Sequence, residues 1–194
     1  MIDLFSLASE VQGICVANGW QFCFIGGIAL QRWGEPRVTQ DVDLTLLTGF
    51  SDEQRYIDIL LQHFATRVAD AREFALRNRV LLLQSETGVG IDVALGGLPF
   101  EESLVARATP FEFLPGVTLQ TCSAEDLIVL KAFADRPRDW SDIEGILVRQ
   151  KVLDWDYIDR HLAPLAEIKE APHILQRLRE LRSANSFKAS RGQL

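Results

Sequence analysis

The sequence has few cysteines, no long apolar run and no excess of basic residues. Its three cysteines, Cys15, Cys23 and Cys122, are scattered and odd in number, so they predict neither a disulfide framework nor a zinc site and favour a reducing compartment. No apolar stretch is long enough to span a membrane, and the first residues lack the basic and apolar segments of a signal peptide. A cytoplasmic protein without a membrane partner is therefore expected.

The charge balance is acidic. The 194 residues include 20 Lys and Arg against 27 Asp and Glu, a formal net charge of −7. Generic nucleic-acid binding needs Lys and Arg to neutralise phosphates, so this balance argues against it and leaves only a local basic patch open. The three histidines, His63, His161 and His173, lie far apart and show no metal-ligand spacing.

Hydrophobic periodicity predicts an α/β or α+β core followed by helices. Residues 1–122 are expected to form the core and residues 123–194 a C-terminal helical region. The predicted strands are 21–25, 41–47, 79–84, 89–95 and 117–120; the predicted helices are 2–18, 28–33, one capped by Ser51 with Gln54, 123–134, 139–150, and 155–182 broken at Pro164 and Pro172.

Three aspartates lie in apolar strand patterns. Asp41 and Asp43 are two residues apart, so their side chains point to the same face of a strand. Clustered carboxylates repel each other, and a divalent cation such as Mg²⁺ is the usual compensation. If the strand with Asp92 lies beside theirs, the three acids converge on a two-metal site for phosphoryl chemistry. The alternative is that all three face solvent on edge strands.

A glycine pair and a polar loop precede the two aspartates. Gly26-Gly27 lies between a strand and a helix, where a phosphate is able to approach the backbone; the same pair is also typical of a tight turn. Arg37 and Thr39 follow in the loop. Arg37 either contacts phosphates or pairs with Glu35 or Asp41. The series Gly-Gly, Arg-X-Thr, Asp-X-Asp is more specific than any of its parts.

The segment FIGGIALQRWGEPRVTQDVDLTLL resembles the first motif of the DNA polymerase β-like nucleotidyltransferase superfamily. It is closest to the AbiEii/AbiGii-type toxin branch, with some similarity to lincosamide and aminoglycoside nucleotidyltransferases. Many relatives have Gly-Ser at the position of Gly26-Gly27, and their third aspartate, on a later strand, matches Asp92. The resemblance implies a nucleotidyltransferase fold, in which helices flank a small mixed sheet and a C-terminal helical portion follows.

A second segment, AEDLIVLKAFADRPRDWSDIEGIL, is similar to the helical part of the same family. Lys131, Arg138, Asp139 and Asp142 occupy its Lys and its Arg-Asp-X-X-Asp. The resemblance implies that Lys131 faces nucleotide phosphates, whereas the residues alone also allow a solvated lysine on a helix surface. Asp139 is expected to cap its helix, and Asp142 is the better candidate for the site.

The resemblance implies a nucleotidyltransferase that depends on Mg²⁺ or Mn²⁺ and moves a nucleoside monophosphate from an NTP to a hydroxyl of a small molecule, a protein or an RNA end. The alternatives are an inactive or regulatory nucleotide-binding module, in a pair with an antitoxin protein, and a structural domain that binds no nucleotide. The catalytic and metal-binding candidates are Asp41, Asp43 and Asp92, and the nucleotide-binding candidates are Gly26, Gly27, Arg37, Thr39, Lys131 and Asp142.

Overall fold

The computed structural model describes the backbone of residues 2–191 and the side chains of residues 4–185. These residues form two units, one made of residues 2–32 and 37–123 and the other of residues 33–36 and 124–191. The first contains a sheet with flanking helices, and the second is helical. None of the helices within residues 2–191 is long and apolar enough to cross a membrane.

The first unit is built on a seven-stranded mixed sheet with the order β3-β4-β5-β2-β1-β7-β6. Its strands are β1 Phe22–Phe24, β2 Asp41–Leu47, β3 Ala65–Thr66, β4 Val80–Gln84, β5 Gly90–Gly96, β6 Thr109–Leu114 and β7 Val117–Thr121. Its helices are α1 Ile2–Ala17, α2 Gly26–Trp33, α3 Glu53–His63, α4 Ala71–Asn78 and α5 Pro99–Ala106. Strands β2 and β5 are parallel, as are β1 and β7, and the other neighbours are antiparallel.

One face of the sheet supplies the hydrophobic core. Alternate residues of β2, among them Val42 and Leu44, are fully buried or nearly so, and β5 contributes Ile91 and Val93 in the same way. Apolar side chains of α1 and α3 cover this face and belong to the same core cluster. The intervening residues of β2 and β5 point to the opposite face, where the predicted aspartates lie.

Several local predictions for the first unit were incomplete. Helices α4 and α5 and strands β3 and β6 were not predicted, because α4 has almost no apolar stripe, β3 is two exposed residues long and β6 is largely exposed. The capping box at Ser51 is wrong: Ser51 has a φ of +75° and α3 begins at Glu53. At α5, Glu101 instead accepts hydrogen bonds from the backbone N–H groups of Gly97 and Leu98, at 2.8 and 2.9 Å.

The second unit contains α6 Ala124–Ala134, α7 Pro137–Arg149, α8 Trp155–Ile168 and α9 His173–Arg191. Helix α8 continues through Pro164, so the predicted break there is wrong. A proline inside a helix removes one backbone hydrogen bond, and the packing of this helix tolerates that loss. The break predicted at Pro172 is confirmed, since α9 begins at the next residue.

A carboxylate joins α6 to α7 and α9 within this unit. Asp135, with a φ of +60°, lies 2.7 Å from His173 Nε2 and accepts a hydrogen bond of 2.7 Å from Trp140 Nε1. The contact with His173 is the largest of the influences that lower the pKa of Asp135, and burial opposes them. The ionised form of Asp135 is therefore favoured in the folded protein.

Asp135→Asn tests this contribution, because asparagine tolerates the positive φ but carries no charge. We expect it to lower the free energy of unfolding at pH 7 by about 1.5 kcal/mol, the low end for a hydrogen bond to a charged group, because His173 is largely exposed and water screens the pair. A lowered folded pKa stabilises above the unfolded pKa of aspartate, and this contribution disappears as pH falls through the folded pKa. Urea unfolding over that range measures it. A deficit that persists at low pH would mean that the charge is not its cause.

Candidate active site

The predicted aspartates lie on one face of two adjacent strands. Asp43 on β2 is directly opposite Asp92 on β5 in the parallel ladder, and Asp41 is opposite Gly90. The backbones of neighbouring strands are about 4.8 Å apart. All three aspartates are half-buried. The expectation that the Asp92 strand adjoins the Asp41 strand is therefore confirmed.

The glycine pair forms the start of α2, beside the carboxylate of Asp43. The backbone N–H of Gly27 points to Asp43 Oδ2 at 3.4 Å. Gly26 has a φ of +55°, and a Cβ at this position would overlap the Asp43 carboxylate. A Cβ at Gly27 would overlap Thr39 Oγ1. Both positions thus require glycine for close packing, and their role towards phosphates stays a prediction.

The loop between α2 and β2 carries the other predicted residues of this unit. Thr39 Oγ1 donates a hydrogen bond of 3.4 Å to the carbonyl of Asp41, and Gln31 Nε2 donates one of 2.5 Å to the carbonyl of Arg37. The Arg37 guanidinium lies 3.3 Å from the carbonyl of Val38. These contacts position the loop next to the start of α2, and phosphate binding by Arg37 stays a prediction.

The sheet surface that carries Asp41, Asp43 and Asp92 is called the acidic face below. An arginine that the sequence did not predict lies on it. Arg67 Nη2 forms an ion pair with Asp92 Oδ1. Arg67 follows the short strand β3 and precedes Asp92 by 25 residues. The two meet only because β3, β4 and β5 are adjacent in the sheet. No motif or spacing in the sequence signals this contact.

The carboxylates of Asp41 and Asp43 fit a divalent ion that takes its remaining ligands from water or phosphate. Among residues 4–185, no three His, Cys, Asp or Glu side chains are close enough together to hold a metal ion by themselves. Mg²⁺, however, commonly takes only one or two carboxylates and completes its coordination with water and substrate phosphates. Asp41 and Asp43, on one strand face, are able to supply those carboxylates.

The second unit contains a buried ionic cluster around Lys131. The Lys131 ammonium lies 2.6 Å from Asp142 Oδ2 and 3.4 Å from Asp139 Oδ1, and Arg136 Nε donates a 2.5 Å hydrogen bond to Asp139. Lys131 and Asp142 are only 5% and 7% exposed. Lys131 is therefore not a solvated surface lysine. Asp139 is not the N-cap residue of α7, which is Arg136, but it lies in the first turn of the helix, where its negative charge is favourable to the helix dipole as predicted.

A separate cleft of about 640 Å³ lies at the other end of the central strands. Leu47 and Gly96, at the far ends of β2 and β5, line it together with Trp20 and Phe22. Asp41 is at the opposite end of β2, so this cleft is distinct from the acidic face.

Comparisons with known proteins agree with this architecture. The family described as "Nucleotidyl transferase AbiEii toxin, Type IV TA system" matches residues 14–193. None of the curated proteins compared with the chain matches it in sequence.

Three solved structures share the fold at low sequence identity. The aminoglycoside enzyme ANT(2″)-Ia in complex with adenylyl-2″-tobramycin has a TM-score of 0.55 and 15% identity, over 85% of this chain and 98% of that one. An antigenic nucleotidyltransferase-like protein from Paracoccidioides brasiliensis has a TM-score of 0.52 and 15% identity, over 91% and 92%. The lincosamide adenylyltransferase LnuA, bound to lincomycin, has a TM-score of 0.50 and 13% identity, over 71% and 92%.

Gly26→Ala tests the close approach of the α2 start to Asp43. The new methyl group strains a positive φ and also meets the carboxylate, so we expect a loss of about 2–3 kcal/mol in unfolding free energy. Gly88→Ala is the matched control, since Gly88 has a φ of +81° but open space around its Cβ position. Denaturant unfolding measures both variants. Equal losses in the two variants would mean that packing against Asp43 adds nothing.

Lys131→Met tests the buried ionic cluster. Removing the ammonium leaves Asp139 and Asp142 buried with less compensation, so we expect a loss of about 3–5 kcal/mol in unfolding free energy. Thermal and denaturant unfolding measure it, and NTP affinity is determined at a temperature where the variant is folded. A fully stable variant that has lost NTP affinity would instead assign Lys131 to phosphate binding.

Proposed function

Because the chain belongs to the AbiEii nucleotidyl transferase family, we propose that it transfers a nucleoside monophosphate from an NTP to a hydroxyl group in an Mg²⁺- or Mn²⁺-dependent reaction. The observation that carries the proposal is the register that sets Asp43 opposite Asp92 with Asp41 on the same face. A structural neighbour in complex with adenylyl-2″-tobramycin supports a small-molecule acceptor. A protein side chain and an RNA end are the other acceptor classes.

Asp41 and Asp43 would hold the metal ion through their carboxylate oxygens. When bound, Mg²⁺ supplies charge neutralisation for the triphosphate and for the departing pyrophosphate. The acceptor oxygen forms a bond to the α-phosphorus while the bond from that phosphorus to the bridging oxygen breaks, and the electron pair leaves with pyrophosphate. By holding that ion, the two strand carboxylates would fix the position of the triphosphate for this in-line displacement.

Asp92 is the residue proposed to act on the acceptor. It lies one strand away from Asp43, where a second metal ion would also contact it. In the proposed mechanism it accepts the proton of the acceptor hydroxyl as the new P–O bond forms. Asp92 therefore contributes to transfer more than to the binding of the nucleotide.

The start of α2 is proposed to bind phosphate groups. Its first residues, Gly26 and Gly27, lack side chains that would keep a phosphate away from the backbone, and the positive end of the helix dipole favours an anion there. Arg37 and Thr39 in the following loop are proposed to contact the same nucleotide. Contacts of Lys131 and Asp142 with a nucleotide are proposed from the family resemblance alone.

A regulatory module that binds a nucleotide without transferring it is the second candidate. The observation that favours it is the ion pair of Arg67 with Asp92, which neutralises the carboxylate that would activate the acceptor. The family description names a type IV toxin–antitoxin system, so an antitoxin protein is the proposed partner in either case.

Asp92→Asn separates the two candidates. The protein is incubated with each α-labelled NTP, Mg²⁺ or Mn²⁺ and a cell extract, and the labelled molecule is identified. We expect Asp92→Asn to bind NTP within a few-fold of wild type but to transfer about 100-fold less, because it loses one acid–base group. Asp58→Asn, at a surface ion pair with Arg72, is the control and should behave as wild type.

Two results would contradict this assignment. If wild-type protein binds NTP but labels nothing in any extract, the regulatory module is favoured over the enzyme. If Asp92→Asn loses NTP binding together with transfer, the division of roles among the three carboxylates is wrong, although the site itself remains.

A further inference from the structure

The backbone of Arg67 continues the line of residues that runs across the sheet through Asp43 and Asp92. Its backbone N–H donates a hydrogen bond of 3.1 Å to the carbonyl of Leu82 on β4. Leu82 is directly opposite Asp92, and Asp92 is directly opposite Asp43. The sheet ladder thus fixes the backbone of Arg67 at the level of the carboxylates, two strands away from Asp92.

The Arg67 side chain reaches across β4 to the acidic face. Nη2 contacts Asp92 Oδ1, and Nη1 lies 3.1 Å from the point where a Cβ on Gly90 would stand. The same Cβ would overlap Asp41 Oδ1. The absence of a side chain at Gly90 therefore lets one guanidinium approach both Asp92 and Asp41.

This ion pair differs from the surface pairs of the same unit. The side chains of Arg67 and Asp92 are 30% and 35% exposed, against 57% and 40% for Arg72 and Asp58. Lower exposure reduces screening by water, so the interaction between the charges is stronger. The guanidinium of Arg67 therefore holds a positive charge beside the aspartates.

We propose that Arg67 is a positioning residue that occupies the acceptor-side cation position and competes with a metal ion for Asp92. This inference rests on the proposed function. The ion held by Asp41 and Asp43 binds with the NTP, and a second ion reaches Asp92 only when it displaces the guanidinium. Arg67 thereby keeps Asp92 oriented and its charge compensated until the nucleotide is in place.

The test is the binding of Mn²⁺ in the presence of an α,β-non-hydrolysable NTP analogue, followed by electron paramagnetic resonance of free Mn²⁺ and by calorimetry. Arg67→Ala should raise the affinity for the weaker ion about tenfold or more, as expected when a unit charge a few ångströms from a divalent ion is removed. If the second Mn²⁺ ion binds wild type too weakly to detect, its binding to Arg67→Ala should become measurable. The affinity for the tighter ion should change by no more than a few-fold.

Conservative and control variants distinguish charge from packing. Arg67→Gln, which keeps hydrogen-bonding capacity without charge, should reproduce the gain, and Arg67→Lys should stay near wild type. Arg72→Ala removes an exposed ion pair and should leave Mn²⁺ binding unchanged. Adding Asp92→Asn to Arg67→Ala should abolish the gain, because the ligand of the second ion is then lost.

Two outcomes overturn the inference in different ways. If wild type binds Mn²⁺ with the nucleotide but neither Arg67→Ala nor Arg67→Gln binds the second ion more tightly, the competition by Arg67 is refuted and the proposed function stands. If wild type and every variant bind no Mn²⁺ with the nucleotide, the proposed function fails and the inference fails with it.

Discussion

The parallel pairing of β2 with β5 is the constraint on which the site depends. It sets Asp43 opposite Asp92 and so concentrates like charges that repel each other. The alternate side chains of the same strands, such as Val42 and Ile91, are fully buried and hold the register. A shift of one residue would expose these apolar side chains and bury the aspartates. The hydrophobic core therefore determines where the carboxylates lie, because the buried face of the sheet fixes the register of the strands that carry them.

Close packing around the carboxylates depends on three glycines. Gly26 and Gly90 leave room for the carboxylates of Asp43 and Asp41, and Gly27 leaves room for Thr39. A side chain at any of these positions would push apart groups that the proposed chemistry needs together. The glycine pair has a packing role whether or not a phosphate binds there. Its presence in the sequence is therefore explained by close packing around Asp43 and Thr39 as well as by nucleotide binding.

Patterns that repeat along a strand were readable from the sequence, and contacts between distant segments were not. The bounds predicted for the strand of Asp41 match β2, because apolar and polar residues alternate there. The adjacency of Asp92 followed only from the family resemblance and a conditional argument. Arg67 could not be predicted, since the β3–β4–β5 ladder brings it to Asp92. The buried partners of Lys131 likewise depend on how α6 packs against α7.

The net charge of the acidic face limits how many divalent ions can bind there. Three carboxylates with one guanidinium leave two net negative charges, which a single divalent ion neutralises. A second divalent ion would then enter a site without excess negative charge, and its desolvation would be uncompensated. The triphosphate brings the additional negative charge. On this argument a second divalent ion is favoured at the carboxylates only when the triphosphate of the proposed substrate is also present.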